Sequence, residues 1–144
     1  MRRLGAVVLE NDCVHLKGVC DVVGVNDLNA ERFDADQKAD PAKAFAKCDG
    51  EGSSTKKIVL AHQPNHVKEL VAMAGDSDLL ILSGHVHGGQ IFPITWLAWL
   101  VNDYFHGLYK VSSRAQVYVG RGTGQWGPRL RLWARAEIVK IRVT

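Results

Sequence analysis

Cysteine, proline and membrane-length apolar runs are all scarce in this chain of 144 residues, which holds three cysteines and four prolines. No two cysteines stand in a CxxC spacing, so neither a thiol redox motif nor a cysteine-based zinc module fits. Cys13, Cys20 and Cys48 form an odd set, which suits a reducing compartment, and are expected to be inert thiols in or near strands. The longest uncharged, mostly apolar stretch runs from Ile91 to Asn102, short of the roughly 18 residues that cross a bilayer. Met1-Arg2-Arg3 leads into a short apolar segment that Glu10 interrupts, which is not a secretory signal. The chain as given is therefore expected to be soluble. Hydrophobic residues make up 47% of it, too many for a disordered tail.

Acidic residues are also scarce at one end. Residues 105–144 carry eight Lys and Arg against the single Glu137, whereas residues 1–56 are slightly acidic. Such a basic end attracts phosphate groups, nucleic acid or acidic lipid, or is simply a solvated surface.

What is present is an α/β pattern with no internal repeat. Short Val-rich strands are predicted over 5–10, 14–19 and 21–25. Residues 29–56 are a polar connection inside one domain, with a short helix after Pro41 and a surface loop through 49–54. Lys57–Ala61 and Leu79–Ser83 are continuously apolar, as in strands buried on both faces, and a helical pattern over 64–74 joins them. That βαβ unit makes the two strands parallel neighbours. A short buried helix is predicted over 91–100, and the chain returns to strands at 107–111, 116–119 and 136–143. The sheet is mixed.

Histidines gather at the carboxyl ends of the two parallel strands. One strand runs into His62-Gln63-Pro64, the other into Gly84-His85-Val86-His87-Gly88-Gly89-Gln90. Ligands bind at that edge of α/β sheets because the loops converge there. If the His85–His87 segment is extended, both imidazoles face the same side about 6–7 Å apart. Neutral imidazole is a common ligand for zinc, iron and manganese, so His62, His85 and His87 are the candidate metal ligands. His66 is expected on the surface, while His15 and His106 are expected to be structural. Trp96, Trp99, Trp126 and Trp133 are expected to pack in the core or against loops.

Ile58-Val-Leu-Ala-His62-Gln-Pro64 followed by Gly84-His-Val-His-Gly-Gly-Gln90 closely resembles the last two metal motifs of calcineurin-like metallophosphoesterases. The tail from Val117 to Pro128, with Arg131 and Ala136-Glu-Ile138, is similar to one membrane-anchored subfamily. Val8–Asn11 and Gly24–Asp27 also fit its middle region.

The resemblance implies a four-layer αββα sandwich that hydrolyses phosphate esters with two divalent metal ions, of the manganese, iron or zinc type. By position, His62 and His85 would share one ion and His87 would serve the other. The family's earlier Asp-x-His, Gly-Asp and Gly-Asn-His motifs do not occur here. The chain therefore matches the C-terminal half of such a domain, lacking the bridging Asp and the catalytic acid, and no catalytic residue is assigned. The implied partners are a phosphate-ester substrate and either a missing N-terminal half or a second copy. A longer, anchored protein would be membrane-associated. The competing readings are a non-catalytic metal-binding fragment and a basic module for anionic partners, of which nucleic acid fits the tail poorly.

Overall fold

A computed structural model describes residues 2–50 and 52–142. The strands are β1 (Asp12–Leu16), β2 (Cys20–Gly24), β3 (Lys56–Leu60), β4 (Asp78–Ser83), β5 (Gly107–Lys110) and β6 (Ala115–Val119). The α-helices are α1 (Pro41–Ala46), α2 (Val67–Met73) and α3 (Ile94–Val101). The strands form one sheet in the order β1-β2-β3-β4-β6-β5. Its four central strands are parallel, and antiparallel hairpin partners close both edges.

The register lines up Val23, Val59, Ile81 and Val117 in one row across the sheet. All four are fully buried, because α1 and α2 cover that face with Ala44, Phe45, Val67 and Leu70. Each such aliphatic side chain contributes about 1.5–3 kcal/mol by leaving water. The opposite face carries Val22, Ile58, Leu80 and Gln116 in register, followed by Leu60, Leu82 and Tyr118. No residue in these two rows is fully buried, and Leu60 is 42% exposed. β3 and β4 are thus built for burial on two faces but are covered on one. Among the described residues there is a single sheet with one layer of helices.

Several sequence expectations are corrected. Residues 5–10 form no strand, and residues 136–142 form none either, Val143 lying outside the described residues. The tail earns its hold through side chains: Glu137 accepts hydrogen bonds from the Arg121 amide (2.8 Å) and the Tyr118 hydroxyl (2.9 Å). α3 is not buried, and Trp96, Trp99, Trp126 and Trp133 are 62–90% exposed. His66 is buried, not superficial. The chain enters α2 through a 3-10 turn at Pro64–His66, and the His66 Nε2 atom lies 3.2 Å from the Glu69 carboxylate.

The cysteines differ as well. Cys13 and Cys48 form a disulfide that ties β1 to the end of α1, and only Cys20 is free, buried in β2. Their sequence separation of 35 implies a loop-closure contribution of about 3–4 kcal/mol. The Cys13→Ser/Cys48→Ser variant is expected to lose that amount of unfolding free energy in a urea titration. Equal stability of variant and parent under non-reducing conditions would show that the bond does not constrain the fold.

Candidate functional site at the carboxyl edge of the sheet

Because β2, β3 and β4 are parallel, all three deliver their carboxyl ends to one edge. β3 leads to His62, β4 to His85, and β2 to Asp27. The His62 Nε2 and His85 Nδ1 atoms are 3.3 Å apart, with the rings edge-on at 5.1 Å between centroids. Asp27 Oδ2 stands 4.0 Å from His62 Nε2. Its other oxygen accepts hydrogen bonds from the Asn29 amide (2.7 Å) and from buried Gln63 Nε2 (2.9 Å). Asp27 escaped the sequence reading because only two parallel strands were foreseen; recognising β2 as the third would have placed it at the same edge. Asn11, buried just before β1, bonds Lys38 O, Asn26 N and Asp40 N, and so holds the chain on which Asp27 sits.

After β4 the backbone is not extended. His85, His87 and Gln90 all have left-handed φ values of +65°, +52° and +48°, each costing a non-glycine residue on the order of 1–2 kcal/mol. The peptide folds tightly, with Val86 N to Gly84 O at 2.7 Å and Gly89 N to Val86 O at 2.8 Å. The same-side geometry expected of an extended His-x-His therefore does not apply. Instead His85 meets His62, while His87 turns into the protein with its Nδ1 buried and unpartnered. Strain of this kind concentrates at functional sites. Gly89 (φ +74°) is required here, since a Cβ would stand 2.5 Å from the Thr95 Cα of α3.

Burial holds the imidazoles of His85 and His87 below their ordinary protonation range, helped at His85 by repulsion from His62 and at His87 by Arg131, His62 and His85. Both are therefore kept neutral, the form that can donate a lone pair. Arg131 locks the tail against this turn: its guanidinium donates to His87 O (3.2 Å), Arg121 O (3.1 Å) and Ala134 O (2.7 Å). Two depressions flank the histidines. One of about 340 Å³ lies by His62 between Leu9, Gly24, Leu60 and Leu82. The other, about 240 Å³, is lined by His85, His87, Leu97 and Trp126. Among the described residues no three His, Cys, Asp or Glu side chains are already drawn into a metal-site arrangement.

The result is an α/β domain with imidazoles and a carboxylate grouped at the carboxyl edge of a largely parallel sheet. By sequence the chain is similar over most of its length to curated metallophosphoesterases. It is 43% identical to an uncharacterized metallophosphoesterase of Helicobacter pylori over 99% of its own length and 37% of that protein's. It is 43% identical to the transmembrane protein with metallophosphoesterase domain of Danio rerio over 83% of its length and 27% of the relative's. The UDP-2,3-diacylglucosamine pyrophosphatase of Chlamydia muridarum is 31% identical over 94% of this chain and 40% of that enzyme. The chain thus spans about a third of these curated relatives. No family model and no solved structure matches it. No helix among the described residues is long and apolar enough to cross a membrane.

Proposed function

We propose that this chain is the C-terminal half of a metal-dependent phosphoesterase and contributes His62, His85 and His87 to a dinuclear centre. The observation that carries the reading is the 3.3 Å approach of His62 Nε2 and His85 Nδ1 at the sheet's carboxyl edge. Two nitrogens bound at 2.0–2.1 Å in tetrahedral array stand about 3.3 Å apart, so the pair fits two positions on one ion. The buried, unpartnered Nδ1 of His87 is the kind of orphaned donor that a second ion would satisfy. Zinc, iron or manganese suits this imidazole set. When bound, such ions neutralise charge on phosphoryl oxygens and acidify water.

The chain's own residues hold and orient. Gln63 and the Asn29 amide fix the Asp27 carboxylate beside His62, and Arg131 pins the His87 turn while adding positive potential that draws in a phosphate ester. The half-open face with Ile58, Leu80, Leu60 and Leu82 is where the second sheet of a four-layer sandwich would pack. That cover, the bridging carboxylate and the general acid would come from the remaining part of a longer protein or from a partner. The name of the Chlamydia relative makes a pyrophosphate-linked substrate one case of the same chemistry.

Hydrolysis of bis-p-nitrophenyl phosphate in manganese buffer tests this. The 144-residue chain alone is expected to show little or no turnover, because a general acid typically contributes 10²–10⁴-fold. A hybrid joining it to the part of the Helicobacter pylori relative that it does not cover is expected to turn over and to lose at least 100-fold on His85→Ala. An active isolated chain, or a folded and active hybrid indifferent to His85→Ala, contradicts the proposal.

A further inference from the structure

α3 is apolar on every side that faces water. Phe92, Trp96, Leu97, Trp99, Leu100 and Val101 are 53–71% exposed, and no charged residue occurs from Ile91 to Asn102. A helix on a protein surface ordinarily turns polar residues to solvent; the one polar residue of α3, Thr95, has its hydroxyl buried instead. Contiguous exposed apolar surface of this kind marks an interaction site.

A second segment extends the patch. Trp126, itself 69% exposed, lines the same groove as Leu97, Ala98 and Val101. Gln90 holds it there, donating to Trp126 O and accepting from Trp126 N, both at 2.6 Å. The pinned loop continues through exposed Arg129 to Trp133, 90% exposed, and Arg135. Buried Ala134 anchors this stretch near Gly88. Along this loop exposed Trp126, Leu130, Leu132 and Trp133 are therefore interleaved with exposed Arg129 and Arg135, in the part of the chain with eight basic residues and one acidic.

We infer that α3 and the 126–135 loop form a docking surface for an anionic lipid bilayer. Tryptophan suits the boundary between headgroups and acyl chains, since its ring is apolar and its N–H polar. Leu97, Leu100 and Val101 enter the apolar side of that boundary, while Arg129 and Arg135 meet headgroup phosphates. A second copy packed symmetrically across α3 would bring the two cationic loops together, which repel. A nucleic acid would match the arginines but leave the exposed leucines and valine in water. The surface is separate from the His62–His85 pair but adjoins the groove beside His85 and His87, so docking would set that edge close to the membrane plane.

The experiment is co-sedimentation with vesicles of phosphatidylcholine alone and of phosphatidylcholine with 30% phosphatidylglycerol. The full chain is expected to bind the anionic vesicles at least tenfold more tightly, and to lose most of that preference in about 0.5 M salt. Trp96→Ser/Trp99→Ser is expected to weaken binding at least tenfold on anionic vesicles. Arg129→Glu/Arg135→Glu is expected to abolish the preference for phosphatidylglycerol. All four positions are exposed, and circular dichroism checks that the variants fold. Absence of binding by the folded parent, or binding undiminished in both variants, overturns the inference. So does a concentration-dependent dimer that Trp96→Ser/Trp99→Ser dissolves, since α3 would then be covered by a second copy.

Discussion

Replacing His62 and His85 together by alanine is expected to weaken the chain's binding of manganese or zinc by at least 100-fold, about 2.7 kcal/mol or more. The two nitrogens already stand at the separation that one ion demands, so little reorganisation is spent on binding and most of the affinity should reside in the pair. Both imidazoles lie largely at the surface of the edge, and their removal creates no sizeable cavity. A His85→Ala/His87→Ala variant should lose metal as well. Elemental analysis and calorimetric titration of parent and variants decide the matter. Equal metal content in all three would mean that these histidines are not the ligands.

The second large effect lies at the opposite edge of the sheet, in a buried charge cluster. Asp21 and Lys57, neighbours in register on β2 and β3, have side chains only 1% and 5% exposed and an Nζ–Oδ2 distance of 3.1 Å. Asp21 also accepts from the Ser54 amide (2.9 Å) and bonds His15 Nδ1 (2.7 Å). Burial alone pushes its carboxyl upward, but the hydrogen bonds from His15, the Ser54 amide and Lys57 outweigh that and hold it below the ordinary carboxylate range. Asp21→Ala strands the Lys57 ammonium among Leu79 and its apolar neighbours, and is expected to cost about 3–5 kcal/mol.

Asp21→Leu/Lys57→Met, which removes both charges, should recover most of that loss. The pH dependence follows from the depressed folded pKa. Stability from Asp21 is fully present above the unfolded value near 3.8 and is lost as pH falls through the lower folded one. Urea unfolding of the two variants, and of the parent at pH 7 and pH 3, measures all three effects. An Asp21→Ala variant as stable as the parent would show that Lys57 escapes to solvent.

The residues at the site and the layout around it were legible to different degrees. The apolar runs at β3 and β4, separated by the Val67–Leu70 pattern, specify a parallel βαβ unit from local periodicity alone. His62 and His85 then follow at one edge, because any residue just past such a strand must lie there. Position within the chain placed them; nothing long-range was needed. The His85–His87 spacing misled because strand geometry does not continue past Ser83. Left-handed backbone at His85 and again from His87 through Gln90 shapes that turn, and its cost is met by bonds that His87 O accepts from Arg131 and Gln90 O accepts from the Leu132 amide, 44 and 42 residues away in the chain.

Composition and pattern alone established an α/β chain with an acidic start and a basic end, and histidines after two buried strands. Tertiary structure decided what pattern cannot carry. Asp27 joined the site because β2 pairs with β3 across a 31-residue connection (residues 25–55). Cys13 reached Cys48 because α1 packs over the same face as β1. α3, as apolar as any core helix, packs against the His87–Gly89 turn and is left largely in water. Hydrophobicity says that a segment prefers burial; whether it is buried depends on which surface remains unoccupied when the rest of the chain has folded.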